Sequence, residues 1–398
     1  MGLTILHPNN FSPTFEKNQF SMDFSSLGLS QNIVDAIKKA KYESPYPIQI
    51  EAIPAILKGK DILGIAPTGS GKTAAYVLPI LHALQQTEYI KTRNIPVLIL
   101  VPTRELATQV EEVVKVFSGF LPRRIKTLAV FGGVSVNPQM MNIYGTEIVV
   151  ATPGRLLDLV DKNSISLSSL KVLVLDEADK ILNLGFKEEV DEILSRLPKK
   201  RQNILFSATM EETVEELINR ILHNPEKISV EVEGIAPELI SQSAYRVPME
   251  YKGPLLRHLI KSGNWQQVLV FTSSIRTADN VAVKLNKNGI EATSFHGDKS
   301  QGARTDALTK FKAGKLRVLV ATDLAARGID IKELPVVINY ELPRSPKDYI
   351  HRIGRTGRAG SEGEAISLIS EEEEHHFKVI QKKMGRRVEL IDAMSIDF

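Results

Sequence analysis

Residues 61–73 read Asp61-Ile62-Leu63-Gly64-Ile65-Ala66-Pro67-Thr68-Gly69-Ser70-Gly71-Lys72-Thr73. A short apolar run, a loop with two glycines and a Lys-Thr pair, then a helix-forming stretch give strand, loop and helix in the order a phosphate loop requires. Glycines let backbone N–H groups curl round phosphate oxygens, so Thr68, Gly69, Ser70 and Gly71 would cradle a nucleotide. Lys72 would reach its outer phosphates, and the Thr73 hydroxyl would ligate magnesium. Ala66 stands where the general pattern has glycine. A chance turn before a helix is the bland alternative, and the ordered context argues against it.

A second strand ends in charge. Val172 to Leu175 is followed by Asp176-Glu177-Ala178-Asp179, an apolar run that would deliver acids to the carboxyl edge of a parallel sheet, where ligands bind. Asp176 would hold magnesium, and Glu177 would orient and deprotonate an attacking water. A solvated acidic turn is the alternative when the motif is taken alone; beside a phosphate loop it loses ground.

Outward from these two strands the chain alternates short Val/Ile/Leu runs with longer amphipathic stretches, the pattern of an α/β fold around parallel sheets. In residues 23–229 the expected strands are 61–65, 97–101, 126–131, 147–151, 172–175 and 203–207. The rhythm lapses over residues 230–246, a polar stretch with Gly234 and Pro237 that reads as a linker. It resumes in residues 247–398 with expected strands 267–271, 292–295, 318–321, 336–340 and 365–368. Residues 1–22 show no clear period and read as an N-terminal extension. No short repeat is present. Ser370 and Glu373 form a capping box, so the acids Glu371 to Glu374 open a helix rather than hold a metal.

A chain of 398 residues suits two domains with full cores. With 43% hydrophobic and 24% charged residues it belongs to the globular class, and its apolar runs are far too short to cross a bilayer. The net charge of +3 is too mild for a diffuse basic carpet, so nucleic acid would have to bind in a local groove. The absence of cysteine excludes disulfides, thiolate metal sites and cysteine nucleophiles. Met1-Gly2-Leu3-Thr4-Ile5-Leu6 carries no secretory or myristoylation signal, and the expected location is cytoplasmic.

The second half has no phosphate loop of its own, since Gly314-Lys315 is followed by Leu316, so one ATP site is expected. It carries instead His351-Arg352-Ile353-Gly354-Arg355-Thr356-Gly357-Arg358. Three arginines in seven residues, without a cradle, make sense as fingers aimed at phosphates held by the other half. A simple anion-binding loop is the alternative.

Together these residues resemble the DEAD-box ATP-dependent RNA helicases, from about Asp23 to the C-terminus. The resemblance also rests on Pro102-Thr103-Arg104-Glu105-Leu106, Gly132-Gly133, Thr152-Pro153-Gly154-Arg155 and Ser207-Ala208-Thr209. In the second half it rests on Gln301 with Arg304, Ala321-Thr322-Asp323 and Arg327-Gly328-Ile329-Asp330. The compact build is similar to the bacterial RhlE type. The resemblance implies two tandem RecA-like domains joined by a short linker. It implies adenine reading by Phe24, Tyr42 and Gln49, a role that suits a Gln amide and a stacking ring. Lys41, Tyr46 and Pro67 depart from the family's usual residues, and a core tyrosine with a turn-capping Gln is the plainer reading. RNA contacts implied by motif are Arg104, Gly133, Thr152, Arg155, Thr322 and Arg327, types that grip phosphates without reading bases. Ser207 and Thr209 would couple nucleotide state to RNA.

The expected mechanism has ATP and Mg2+ draw the halves together, with Asp330, Arg355 and Arg358 completing the site. RNA would be gripped as a single strand in a bent path, so short duplexes separate locally and hydrolysis resets the clamp. Two rivals stand beside it: an ATP-dependent RNA clamp or assembly scaffold with little unwinding, and a DNA helicase of the wider superfamily.

Overall fold

The computed structural model describes residues 23–67, 69–230, 240–326, 331, 334–357 and 363–398. The extension 1–22, Thr68, Arg327, Asp330 and Arg358 lie outside the described residues, as do linker residues 231–239. In the first half the strands are β1 (Ile62–Ile65), β2 (Val97–Leu100), β3 (Thr127–Val130), β4 (Ile148–Ala151), β5 (Val172–Leu175), β6 (Gln202–Ser207) and β7 (Glu226–Ser229). The second half has β8 (Ile240–Arg246), β9 (Val268–Thr272), β10 (Ala292–Phe295), β11 (Val318–Thr322), β12 (Val336–Asn339), β13 (Gly363–Ile369) and β14 (Leu390–Asp392).

The strands form two sheets, ordered β3-β4-β2-β5-β6-β1-β7 and β10-β11-β9-β12-β13-β8-β14. Counted from its own first strand, the second sheet has the same order as the first, so the halves repeat one topology without repeating sequence. Every pairing between these strands is parallel. Parallel sheets need both faces covered. In the first half Ile62, Val97, Ile99, Val174 and Ile204 join one core cluster, and their neighbours Leu63, Leu98, Leu100, Leu173 and Leu205 join another on the opposite face.

One segment differs from expectation. Ile240–Arg246, expected to be linker, is strand β8 and pairs with both β13 and β14. Its polar Ser241, Gln242 and Ser243 conceal the strand, while Ile240 and Ala244 are fully buried. The edge strands β7 and β14 also escape the apolar-run criterion, because an edge buries less. The expected capping box is present: Glu373 accepts from the Ser370 backbone N–H at 3.0 Å, ahead of helix Glu374–Met384.

The topology places the functional loops at the carboxyl edge of each sheet. The phosphate loop follows β1, the acids follow β5, Ala208 and Thr209 follow β6, and Thr322 closes β11. Because β6 lies between β1 and β5, Ala66 and Asp176 sit two strand spacings apart, roughly 10 Å. Among the described residues no helix is long and apolar enough to cross a membrane.

Candidate active site

Gly69 and Gly71 have φ of 91° and 89°, a left-handed conformation that a side chain would strain. A Cβ on Gly71 would also come within 2.6 Å of Gln49 Nε2. Gly71 caps helix Lys72–Gln85, which aims the helix N-terminus at the loop. Lys72 is buried, and its Nζ donates to the Ala66 carbonyl at 2.8 Å, arching over the space the loop encloses. Ser70 Oγ donates to the Pro67 carbonyl at 2.9 Å and holds the turn.

A cleft of about 850 Å³ opens here, lined by Lys72, Thr73, Asp176, Glu177, Gln49 and Tyr42, with Lys312 reaching it from the second half. Asp176 is buried, and burial raises its carboxyl above the ordinary pKa against the pull of nearby Lys72. Its Oδ2 accepts from the Tyr76 hydroxyl at 2.9 Å, whereas its buried Oδ1 has no hydrogen-bond partner. Tyr76 stays protonated, since burial and then Asp176 raise its pKa well above the usual value.

Glu177 adopts a left-handed backbone (φ 56°) and pairs with Lys180 at 2.8 Å. For a non-glycine residue this conformation is costly, and such strain gathers at functional sites. The last acid of the run does different work. Asp179 Oδ2 accepts from the Thr209 hydroxyl at 3.1 Å, and Ser207 Oγ donates to the Thr209 carbonyl at 2.7 Å. The ends of β5 and β6 are thereby tied together.

The three residues expected at adenine part company. Tyr42 lines the cleft and packs against Phe117 at 5.1 Å between ring centroids. Gln49 accepts from the Tyr46 N–H and donates to the Gly71 carbonyl, each at 3.0 Å, so it caps helix Pro47–Leu57 and pins the phosphate loop. One donor and one acceptor of its amide remain. Phe24 needs correction: it is 1% exposed inside the core with Leu27 and Ile33, away from the cleft lining. A fully apolar side chain among apolar neighbours has no reason to leave them.

The residues expected at RNA stand at the carboxyl ends of the strands. The Arg104 guanidinium occupies the space beside Gly133, where a Cβ would meet Nη1 at 2.1 Å. Thr152 precedes helix Pro153–Asp161, and Arg155 Nη2 donates to the Val134 carbonyl at 3.0 Å. Thr322 is mostly buried.

The arginine motif is divided in its work. Arg352 is buried, donates to both oxygens of Asp323 at 2.5 and 2.7 Å and to the Glu341 carbonyl at 2.7 Å, and lies over the Phe271 ring. It braces the second half and cannot also act as a finger. Arg355 is mostly buried beside it in sequence. His351 is kept neutral, its pKa lowered to about 4 chiefly by burial and next by Lys180 of the first half.

The halves meet across the cleft edge. Arg304 Nη2 lies 2.8 Å from Glu105 Oε2, both side chains being buried, and Gln301 Nε2 donates to Glu105 Oε1 at 3.3 Å. A second, exposed pair joins Lys347 to Glu211 at 3.1 Å.

The DEAD/DEAH box helicase family matches residues 46–217, and the helicase conserved C-terminal domain matches residues 251–360. The ATP-dependent RNA helicase CshA of Listeria monocytogenes is 39% identical over 375 residues, covering 94% of this chain and 71% of that protein. The chain belongs to the DEAD/DEAH box helicase family. Its two sheets are the two RecA-like domains of that family. Among solved structures, S. cerevisiae Dbp5 bound to RNA and ADP BeF3 aligns with a TM-score of 0.81 at 30% identity, covering 93% of this chain and 95% of that one. A DEAD box protein from Methanococcus jannaschii aligns over the same 93%, and 99% of its own chain, at 36% identity but with a TM-score of 0.52. The CshA relative supports the family rather than the RhlE subdivision.

Within this helicase, sequence reasoning missed Tyr76, Lys180 and the contact of Glu105 with Arg304. Tyr76 was within reach: it lies four residues after Lys72 on one helix, hence on the same face. Lys180 bears the same relation to Glu177, three residues on. Glu105 and Arg304 are 199 positions apart in the numbering of the chain, and only the fold joins them.

Proposed function

We propose that the chain is an ATP-dependent RNA helicase that grips single-stranded RNA largely without regard to sequence and separates short duplexes locally. The observation that carries this reading is the contact between the halves. Glu105 of the first half is bound by Gln301 and Arg304 of the second, while Lys312 of the second half lines the nucleotide cleft of the first. ATP held in that cleft would therefore favour closure, and closure would complete the RNA groove, two ligands biasing one equilibrium. The TM-score of 0.81 with the RNA- and nucleotide-bound Dbp5 structure supports a closed arrangement.

Mg2+ fits the residues present. The buried, unpartnered Oδ1 of Asp176 calls for a cation, and Thr73 lines the same cleft. Asp176 and Thr73 would hold the ion, which supplies charge neutralisation at the phosphates. Lys72 exchanges the Ala66 carbonyl for a phosphate oxygen. Glu177 orients the attacking water and takes its proton. Arg355, with Arg358, meets the charge that develops on the transferred phosphoryl group. Asp179, Thr209 and Ser207 link the acid motif to the end of β6 and so carry nucleotide state toward the RNA side. Arg104, Gly133, Thr152, Arg155 and Thr322, with Arg327, hold RNA phosphates. A cysteine-free chain of this kind suits a reducing, cytoplasmic setting.

Strand displacement on a short RNA duplex tests the proposal. ATP-dependent release of the shorter strand supports it. Tight ATP-dependent RNA binding with no displacement would instead favour the clamp.

A further inference from the structure

A second cleft, of about 690 Å³, lies at the β14 edge of the second sheet, between the end of β8, helix Glu374–Met384 and the start of β14. Its lining includes Arg246, Lys378, Lys382, Arg386 and Arg387 against a single acid, Glu389. From Lys378 to Arg387 five of ten residues are cationic and none is acidic, in a chain whose net charge is only +3.

A helix gathers cations at its C-terminus to satisfy its dipole, and Lys382 and Lys383 need no further reason. That reason does not extend to Arg387, which lies beyond the terminal Gly385, or to Arg246, which comes from a strand. Only part of this charge is used inside the fold. Arg246 pairs with Glu374 at 2.5 Å and Arg386 donates to the Ile240 carbonyl at 3.2 Å. Among the described residues Lys378, Lys382 and Arg387 take part in no ion pair or side-chain hydrogen bond. Three uncompensated cations around one concave surface repel one another, so they favour an occupant carrying several negative charges at spacings that match.

We propose that this cleft is an auxiliary anchor for RNA phosphates, holding a part of the strand that extends beyond the groove between the halves. The inference rests on the RNA-helicase reading, because RNA is the polyanion that reading brings to the chain. The geometry sets its reach. Five strand steps separate β11, which ends at Thr322, from β14, about 24 Å at the usual spacing. A stacked strand covers that in about seven nucleotides. RNA that only fills the central groove therefore cannot touch the cleft.

The test compares wild type with the triple variant Lys378→Gln, Lys382→Gln, Arg387→Gln, all at exposed positions where folding is insensitive to the change. Affinity is measured for single-stranded RNAs of about 5 nucleotides, too short to span that distance, and about 30 nucleotides over a range of salt, together with ATP turnover at saturating long RNA. The expected result is a loss on the order of tenfold for the long strand and none for the short one. The salt slope for the long strand should fall by about 2, the amount three phosphate contacts contribute. Turnover at saturation should be unchanged, and the charge-keeping variant Lys378→Arg, Lys382→Arg, Arg387→Lys should bind as wild type does. Equal affinities for the long strand would overturn the anchor, and so would the same loss at both lengths. If wild type binds neither strand, the helicase reading fails first, and the two failures remain distinct.

Discussion

Replacing Arg304 with methionine leaves Glu105 buried with only the Gln301 amide, at 3.3 Å, to answer its charge. Removing one partner of a buried ion pair costs about 3–5 kcal/mol, most of it the burden of the uncompensated charge. With the halves apart both side chains are hydrated, so the cost falls on closure rather than on the folding of either half. Taking about 3 kcal/mol, the ratio of closed to open forms drops by roughly 150-fold. RNA-stimulated ATP turnover reads this directly: kcat/KM for RNA should fall about 100-fold in Arg304→Met and by a similar factor in Glu105→Gln. ATP binding without RNA should hardly change. The double variant removes both charges and should recover to within about tenfold of wild type, because a neutral pair no longer demands compensation. Single variants within about threefold of wild type, or losses that simply add in the double variant, would refute the idea that this pair governs closure.

Glu177→Gln keeps size and most hydrogen bonding but cannot take a proton, so turnover should fall on the order of 10²–10³-fold while ATP still binds. RNA dissociation from that variant should slow with ATP and not with ADP, as stopped-flow release would record. Burial raises the Asp176 pKa in the folded state, so above the ordinary carboxylate range the native protein binds more protons than the unfolded chain, and stability falls as pH rises through that window. Asp176→Asn escapes this loss: without nucleotide it should melt above wild type at pH 8, the gap closing as pH falls below the ordinary carboxylate value, while Mg-ATP no longer stabilises it. A gap that widens toward acid pH would contradict the assignment. Gly133→Ala would set a Cβ 2.1 Å from the Arg104 guanidinium at φ 73°, so RNA affinity should drop about tenfold from the displaced contact and the strained backbone. ATP affinity should stay unaltered.

Much of this was legible because the chemistry is local. Strand β5 and the acids after it are contiguous, as are β1 and the loop from Ala66 to Thr73, and each is a motif whose physics can be stated from neighbouring residues. Interior strands buried on both faces announce themselves as apolar runs. Strand β8 does not, since Ser241, Gln242 and Ser243 break the run although the backbone pairs on both sides. Roles that depend on distant partners were hidden. Arg352 reads like a finger until Asp323 and the Glu341 carbonyl are seen to occupy it, and Phe24 reads like a base-stacking ring until the core encloses it. The bland reading of Gln49 as a cap and the functional one are both physically available, because the same amide caps its helix and faces the loop.

In the mechanism proposed here, ATP and RNA together favour the closed form in which the second half completes the ATP site. ATP turnover by the full chain, measured with and without single-stranded RNA at saturating Mg-ATP, tests it most directly. Turnover should be low alone and rise at least about tenfold with RNA, a rise abolished in Arg355→Ala. Turnover that is equally fast with and without RNA would contradict it.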